Sequence, residues 1–351
     1  MRRPFSGTLL IVLGLALATF NYDFWLGIEA EPAFLGVPRF LIALLLFSTG
    51  LARIARATRP VERPAGVGRY FVITLLGLIF IFPVFWMFTT SLKPPYADLG
   101  RVMPEEVQLE NYPDAMTYAH GAEDPEFEGA WAPGAFFRTP FFQQLVNTLT
   151  VGLLGTVGVV ISSSLAAYAF ARLEWPGRDF FFVLTVATMM VPFAVLVVPL
   201  YGLFRQLGWI GTLRPLWAPA CFGTGFSIFL LRQFFKGIPN DLTDAARIDG
   251  CSEFGIYWKI VMPLAKPALA AVALFHFLYV WNDFFAPLVF LTETETFTLA
   301  LGLHQFQGAH GGTPWTLMMT AATLMTLPIL IIFFLTQRVF VRGVTMSGLK
   351  S

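Results

Sequence analysis

Apolar residues in this chain run in long unbroken blocks, and the blocks free of Asp, Glu, Lys and Arg mark where helices would cross a membrane. A spanning helix needs about 20 mostly apolar residues. Such stretches cover residues 4–22, 40–52, 70–92, 139–171, 180–204 and 215–231. Two more follow: 267–292, interrupted only by Asp283, and 296–337, whose Gly- and His-bearing first half precedes the span proper. The run between Arg39 and Arg53 is short, and snorkelling arginines extend it. The pattern predicts an all-α polytopic membrane protein with eight transmembrane helices.

The loops give the orientation. With the N-terminus in the cytoplasm, 17 of the 23 Lys and Arg residues fall on the cytoplasmic side, as the positive-inside rule asks. Omitting the short second helix reverses that bias. Both termini are therefore expected in the cytoplasm, and residues 93–138 form the longest outer loop. That loop gathers Asp98, Glu105, Glu106, Glu110, Asp114, Glu123, Asp124, Glu126 and Glu128. It reads as a solvated linker or as a small ordered lobe.

Composition removes the soluble classes. Hydrophobic residues make up 56% of the 351 positions and charged residues 13%, with 38 Phe, whereas soluble domains are about a quarter charged. A soluble enzyme, a disordered tail and a fibrous protein are excluded. The net charge of +1 and the lack of a basic stripe point to no nucleic-acid partner. Cys221 and Cys251 lack metal-type spacing and read as reduced structural thiols. His120, His276, His304 and His310 show no ligand or triad spacing, so neither a metal nor a cofactor is expected. The first apolar run has no small-x-small cleavage pattern and reads as a retained anchor.

Residues 1–58 read as a transmembrane hairpin extension, and the Pro-, Gly- and Arg-rich stretch 59–69 reads as a cytoplasmic linker. A six-span core, 70–351, follows. Within 139–171, Gly152, Gly155 and Gly158 followed by Ser162, Ser163 and Ser164 permit close helix approach, either inside the chain or at a dimer face.

The stretch 236–267, KGIPNDLTDAARIDGCSEFGIYWKIVMPLAKP, carries the strongest local signal. Asn240 or Asp241 suits a helix cap, and Asp241 and Asp244 fall in the first turn, where the helix dipole favours acids. Leu242, Ala245, Ala246 and Ile248 make an apolar face with small Ala at its centre. Gly250 breaks the helix, and Ser252 and Glu253 start a second, bulkier one with Phe254, Tyr257, Trp258 and Val261. Pro263 is expected near the first turn of the next span. Such a helix–Gly–helix unit suits docking into a cleft of a cytoplasmic partner, or serves as an interfacial amphipathic connector.

The spacing Asp244-Ala245-Ala246, three residues, Gly250, nine residues, Ile260, one residue, Met262-Pro263 resembles the EAA loop of bacterial ABC-importer permeases, with Asp for Glu and Met for Leu. The segments AAYAFARLEWPGR (166–178), MMVPFAVLVVPLYGLFRQLGWIGT (189–212), FSIFLLRQFFKGIP (226–239), WNDFFAPLVFLT (281–292) and QRVFVRGVTMSGLKS (337–351) are similar to the smaller permease subunit of the maltose-type carbohydrate family. So is SLKPPYADL (91–99) followed by Asn111-Tyr112. The similarity covers about residues 70–351 and leaves the hairpin outside.

The resemblance implies a six-helix permease core that forms half of a sugar path in the bacterial inner membrane. Its implied partners are a second, larger permease subunit, a dimer of ATPase subunits, an extracytoplasmic solute-binding protein, the carbohydrate and membrane lipid. ATP hydrolysis belongs to another polypeptide, because a phosphate-binding loop needs a Gly-Lys pair and no Lys here follows a Gly. The chain itself is not expected to be an enzyme, and no catalytic residue is assigned. The loop 237–263 would couple to the ATPase through Asp244, Ala245, Ala246, Asp249, Gly250, Ile260 and Pro263. Asp283 with Trp281 and Asn282 is the candidate for the translocation path, since ionisable groups at span depth are functional candidates; a packing role is the alternative. An ion-coupled secondary transporter of small polar solutes is the rival reading, which calls for several intramembrane carboxylates and a visible repeat.

Overall fold

A computed structural model describes residues 45–46, 49, 67–95, 97–118, 135–307 and 313–347. The expected hairpin (1–58) and linker (59–69) lie almost wholly outside these residues. Every regular element among the described residues is helical. They fall into two compact units, one drawn from positions up to 115 plus the start of the last helix through Thr323, the other from 116–311 and the remainder of that helix.

In the first unit, α1 (Val67–Ser91) ends at a cluster of buried polar groups. Asn111, at the start of α2 (Asn111–Thr117), donates its amide to the carbonyls of Ser91 at 2.9 Å and Lys93 at 2.7 Å. Thr320 Oγ1 donates to the same Ser91 carbonyl at 3.1 Å. Lys93 is buried, and its ammonium donates to the Arg101 carbonyl. Burial pulls the Lys93 pKa below the usual lysine range, partly offset by the Asp98 carboxylate. The described residues 93–95 and 97–118 are thus held by hydrogen bonds of Lys93 and Asn111.

The second unit is built around α3 (Pro140–Arg172), a 33-residue helix capped by Thr139, whose side chain accepts from the Phe142 N–H. At 1.5 Å per residue it is about 50 Å long, against a hydrocarbon core of about 30 Å. One span therefore leaves several turns to reach beyond the lipid. Its glycines allow close contact inside the chain: a Cβ at Gly152 would lie 2.9 Å from the Phe277 ring, and one at Gly158 would lie 2.6 Å from Cys221 Sγ and 3.1 Å from Cys221 Cα.

Two of the other expected spans, 180–204 and 215–231, are broken. The stretch 180–204 is two helices, α4 (Arg178–Ala187) and α5 (Phe193–Gln206), bent by 98°. The cause is Pro192, which pushes Val191 into the extended region. The stretch 215–231 is not a single helix either. A turn of helix at Arg214–Trp217 and a 3₁₀ segment, Ala218–Phe222, stop at Gly223 with φ +81°, and α6 (Gly225–Lys236) restarts behind the Thr224 cap. After the segment 240–264, described below, come α8 (Lys266–Asn282), α9 (Phe285–Phe290), α10 (Leu299–His304) and α11 (Trp315–Ser347).

By length and apolarity three helices qualify as spans, Tyr70–Ser91, Pro140–Arg172 and Trp315–Gln337, and bent pairs raise the number to five among the described residues. The sequence pattern predicts six over the same region. The described helices do not confirm that number, and apolar composition does not register the breaks at Pro192 and Gly223.

Replacing Gly158 by Val should lower the melting temperature of the detergent-purified chain, by the equivalent of roughly 1–3 kcal/mol of overpacking. Gly77→Ala, where a Cβ meets nothing within 4 Å, should not lower it. An unshifted melting point for Gly158→Val contradicts the close packing.

Candidate functional site

The segment between α6 and α8 is a chain of short helices with one packed face and one open face. α7 (Asn240–Ile248) starts after Pro239, with no side-chain cap. The expected cap, Asn240, is otherwise engaged: its amide oxygen accepts from Arg172 at the end of α3. α7 ends in a Schellman motif, in which the Cys251 N–H reaches the Ala246 carbonyl at 2.9 Å and the Gly250 N–H reaches Arg247 at 3.0 Å. That motif needs a left-handed residue, and Gly250 supplies φ +80°. Ser252 then caps a one-turn helix, Glu253–Ile256, by accepting from the Gly255 N–H at 3.2 Å. A π-helical turn, Tyr257–Val261, and a further turn, Met262–Leu264, follow, and α8 leaves at 78° to them. Pro263 therefore precedes the span, and the proline in its first turn is Pro267.

Burial divides the expected coupling residues. Ala246 is buried in the main core with Ile256, Tyr257 and Val261, against Ala167 and Tyr168 of α3 and Phe235 of α6, and Ile260 packs against the same cluster. The structure thus splits the small apolar face read from the sequence. Ala246 faces inward, whereas Leu242, Ala245 and Ile248 face outward, with Ile248 87% exposed. Asp244, Asp249, Gly250 and Pro263 are exposed too. Asp244 accepts from Arg247 within the same helix at 2.7 Å, while exposed Asp249 forms no ion pair among the described residues.

Two α3 residues that the sequence reading does not single out reach this segment. Tyr168 donates to Glu253 Oε2 at 2.6 Å, and Glu253 Oε1 accepts from Arg247 Nε at 2.8 Å. Arg172 donates to the carbonyls of Phe235 and Ile238 as well as to Asn240. The available signal is the four-residue spacing of Tyr168 and Arg172, which puts these two polar groups on one face of the helix.

The three path candidates part company at the end of α8. Trp281 is buried and donates Nε1 to the Met325 carbonyl at 3.3 Å. Asn282 is exposed, with its amide on the Leu278 carbonyl at 2.8 Å. Asp283 is half-buried in extended backbone, where its Oδ1 accepts from the Ala286 N–H at 3.3 Å. It sits at a break between helices. Phe275 and Tyr279 share one exposed face of α8 with Asn282 at helical spacing.

Gly250→Ala should cost roughly 1–2 kcal/mol, the left-handed penalty of an L-residue, with no steric addition because nothing lies within 4 Å of a Cβ there. Gly250→Asn should cost less. Thermal melting of the purified chain checks both, and an alanine variant as stable as wild type contradicts the backbone assignment.

Comparison with known proteins fits this geometry. Residues 140–346 match the family model described as binding-protein-dependent transport system inner membrane component. The arabinooligosaccharides transport system permease protein of Bacillus subtilis is 34% identical, over 79% of this chain and 92% of its own length. The trehalose/maltose transport system permease protein of Thermococcus litoralis is 33% identical, over 79% and 94%. The sn-glycerol-3-phosphate transport system permease protein of Brucella abortus is 31% identical, over 81% and 96%. A crystal structure of a bacterial ABC transporter that imports the acidic polysaccharide alginate contains a chain similar in fold, with TM-score 0.64 and 21% identity over 78% of this chain and 95% of that one. The chain belongs to the family of binding-protein-dependent transport system inner membrane components.

Proposed function

We propose that this chain is a permease subunit of an ATP-driven carbohydrate importer and that the outer face of α7 docks into a separate ATPase subunit. The observation that carries the docking is the pairing of exposed Leu242, Ala245 and Ile248 with a fully packed opposite face. An interfacial connector would place basic residues around such an apolar strip. This helix instead carries Asp241, Asp244 and, just past its end, Asp249, against the single Arg247. Acid is repelled by an anionic cytoplasmic leaflet and suits a basic-rimmed protein cleft. Asp249, exposed and without an ion pair among the described residues, is the group placed to meet a base on the ATPase.

The carbohydrate assignment rests on relatives named for arabinooligosaccharides and for trehalose/maltose. A neutral sugar is favoured over a phosphate ester, because the described candidate spans 70–91, 140–172 and 315–337 gather no basic cluster. The assembly includes a second, larger permease subunit, an ATPase dimer and an extracytoplasmic solute-binding protein, in the bacterial inner membrane with both termini cytoplasmic. Asn282 and Asp283, at the break after α8, line the path in this reading, while Trp281 holds α8 against α11. Family membership and the absence of any repeat in the sequence disfavour an ion-coupled carrier.

The test uses the complex reconstituted in vesicles. Carbohydrate-loaded binding protein should stimulate ATP hydrolysis several-fold. Gly250→Asp and Ile248→Asp should each lose the co-purifying ATPase and sugar uptake. Asp tolerates left-handed backbone and both sites are exposed, so a folded chain without its ATPase indicates lost docking. ATPase retention and normal uptake in both variants contradict the reading.

A further inference from the structure

Docking alone moves nothing unless the docked helix is rigidly tied to a span. Three side chains of α3 make that tie. Ser164, Tyr168 and Arg172 stand at four-residue intervals and so form one stripe along the helix. Ser164 Oγ shares a hydrogen bond of 2.8 Å with Tyr257 Oη on the π-helical turn, and Ser164 and Tyr257 are both buried. Tyr168 donates to Glu253 at 2.6 Å, and through it to Arg247 and Asp244 of α7. The Tyr168 and Tyr257 rings meet edge-on, 5.4 Å apart. Arg172 holds the Ile238 carbonyl and the Asn240 side chain, which fixes the start of α7, and also the Phe235 carbonyl at the end of α6. The stripe therefore grips the segment at its entry, just past its Gly turn and at its π-helical turn.

We propose that the Ser164–Tyr168–Arg172 stripe is the strut that positions α7 on α3 and carries its displacement into that span as a rigid body. This rests on the docking reading above. α3 suits the role because it exceeds the bilayer core in length and carries the interior contacts of the second unit. The bonds to Arg172 and Glu253 are charge-assisted, the stronger class, and Arg247 links Glu253 to Asp244 without a hydrogen bond of its own to α3 among the described residues. These are positioning residues, and Tyr168 and Glu253 are the pair whose loss separates hydrolysis from movement.

The test compares transported sugar per ATP hydrolysed in vesicles holding the complete complex. Poor folding or assembly lowers both rates together and leaves that ratio alone, so only a lost mechanical link moves it. Tyr168→Phe and Glu253→Gln should still co-purify the ATPase, while the ratio falls by roughly tenfold, as loss of one charge-assisted hydrogen bond allows. An unchanged ratio in both variants, in assembled complexes, overturns the strut while leaving the docking reading standing. A wild-type chain that recruits no ATPase sinks the docking reading, and the strut with it.

A second measurement does not depend on those variants folding. With Cys221→Ser, one spin label goes on native Cys251, just past Gly250, and another on Glu174→Cys, just past the end of α3; Cys251 and Glu174 are both exposed. The strut requires the same inter-label distance in nucleotide-free and ATP-trapped complexes. A distance that changes by more than the spread of a label overturns it.

Discussion

The hydrogen bonds between the end of α3 and the segment 235–257 are the constraint on which the second unit depends. A helix longer than the membrane is thick must place its last turns somewhere, and those turns carry Tyr168 and Arg172. Polar groups buried without partners cost stability. Here the Tyr168 hydroxyl is met by the Glu253 carboxylate, and the two terminal nitrogens of Arg172 by the carbonyls of Phe235 and Ile238 and the Asn240 amide oxygen, while Arg172 Nε has no partner among the described residues. Satisfying those groups fixes where α7 lies. With Ala246 and Thr243 turned inward, Leu242, Ala245 and Ile248 are left facing out. The open face is thus a consequence of the packed one.

The same logic explains the residue types in the segment. Gly250 is required by the backbone, which is left-handed there in space that is otherwise open. Ala246 is small because it sits in the core beside Tyr257 and Ala167. Ala245, its neighbour in the sequence motif, lies on the exposed face, so packing inside the chain does not limit its size. Two adjacent alanines that read alike in the sequence stand in different surroundings.

Much of this was legible before any coordinates. The span at 139–171, the helix–Gly–helix unit and the Ser252 start of its second helix follow from apolar block length, an αL glycine and cap chemistry, which are local properties. The breaks at Val191–Pro192 and Gly223 were hidden by apolar composition, which scores a bent pair and a straight helix alike. Pairing across the chain was also hidden: nothing in the spacing of Arg172 or Tyr168 names Asn240 or Glu253, because those contacts span 68 and 85 positions. The buried role of Lys93 was masked by its charge, which reads as solvated until its Nζ is seen against the Arg101 carbonyl. Trp281, Asn282 and Asp283, adjacent in sequence, face three environments because the helix ends between the second and third of them.

The central claim is that the outward face of α7 is held by a separate nucleotide-hydrolysing subunit. The most direct measurement is photo-crosslinking in intact membranes from an unnatural residue at position 248, with position 246 as the inward-facing control. The account predicts an adduct between this chain and the ATPase from 248 and none from 246. Adducts from 248 to lipid alone, or equal ATPase adducts from both positions, would contradict it.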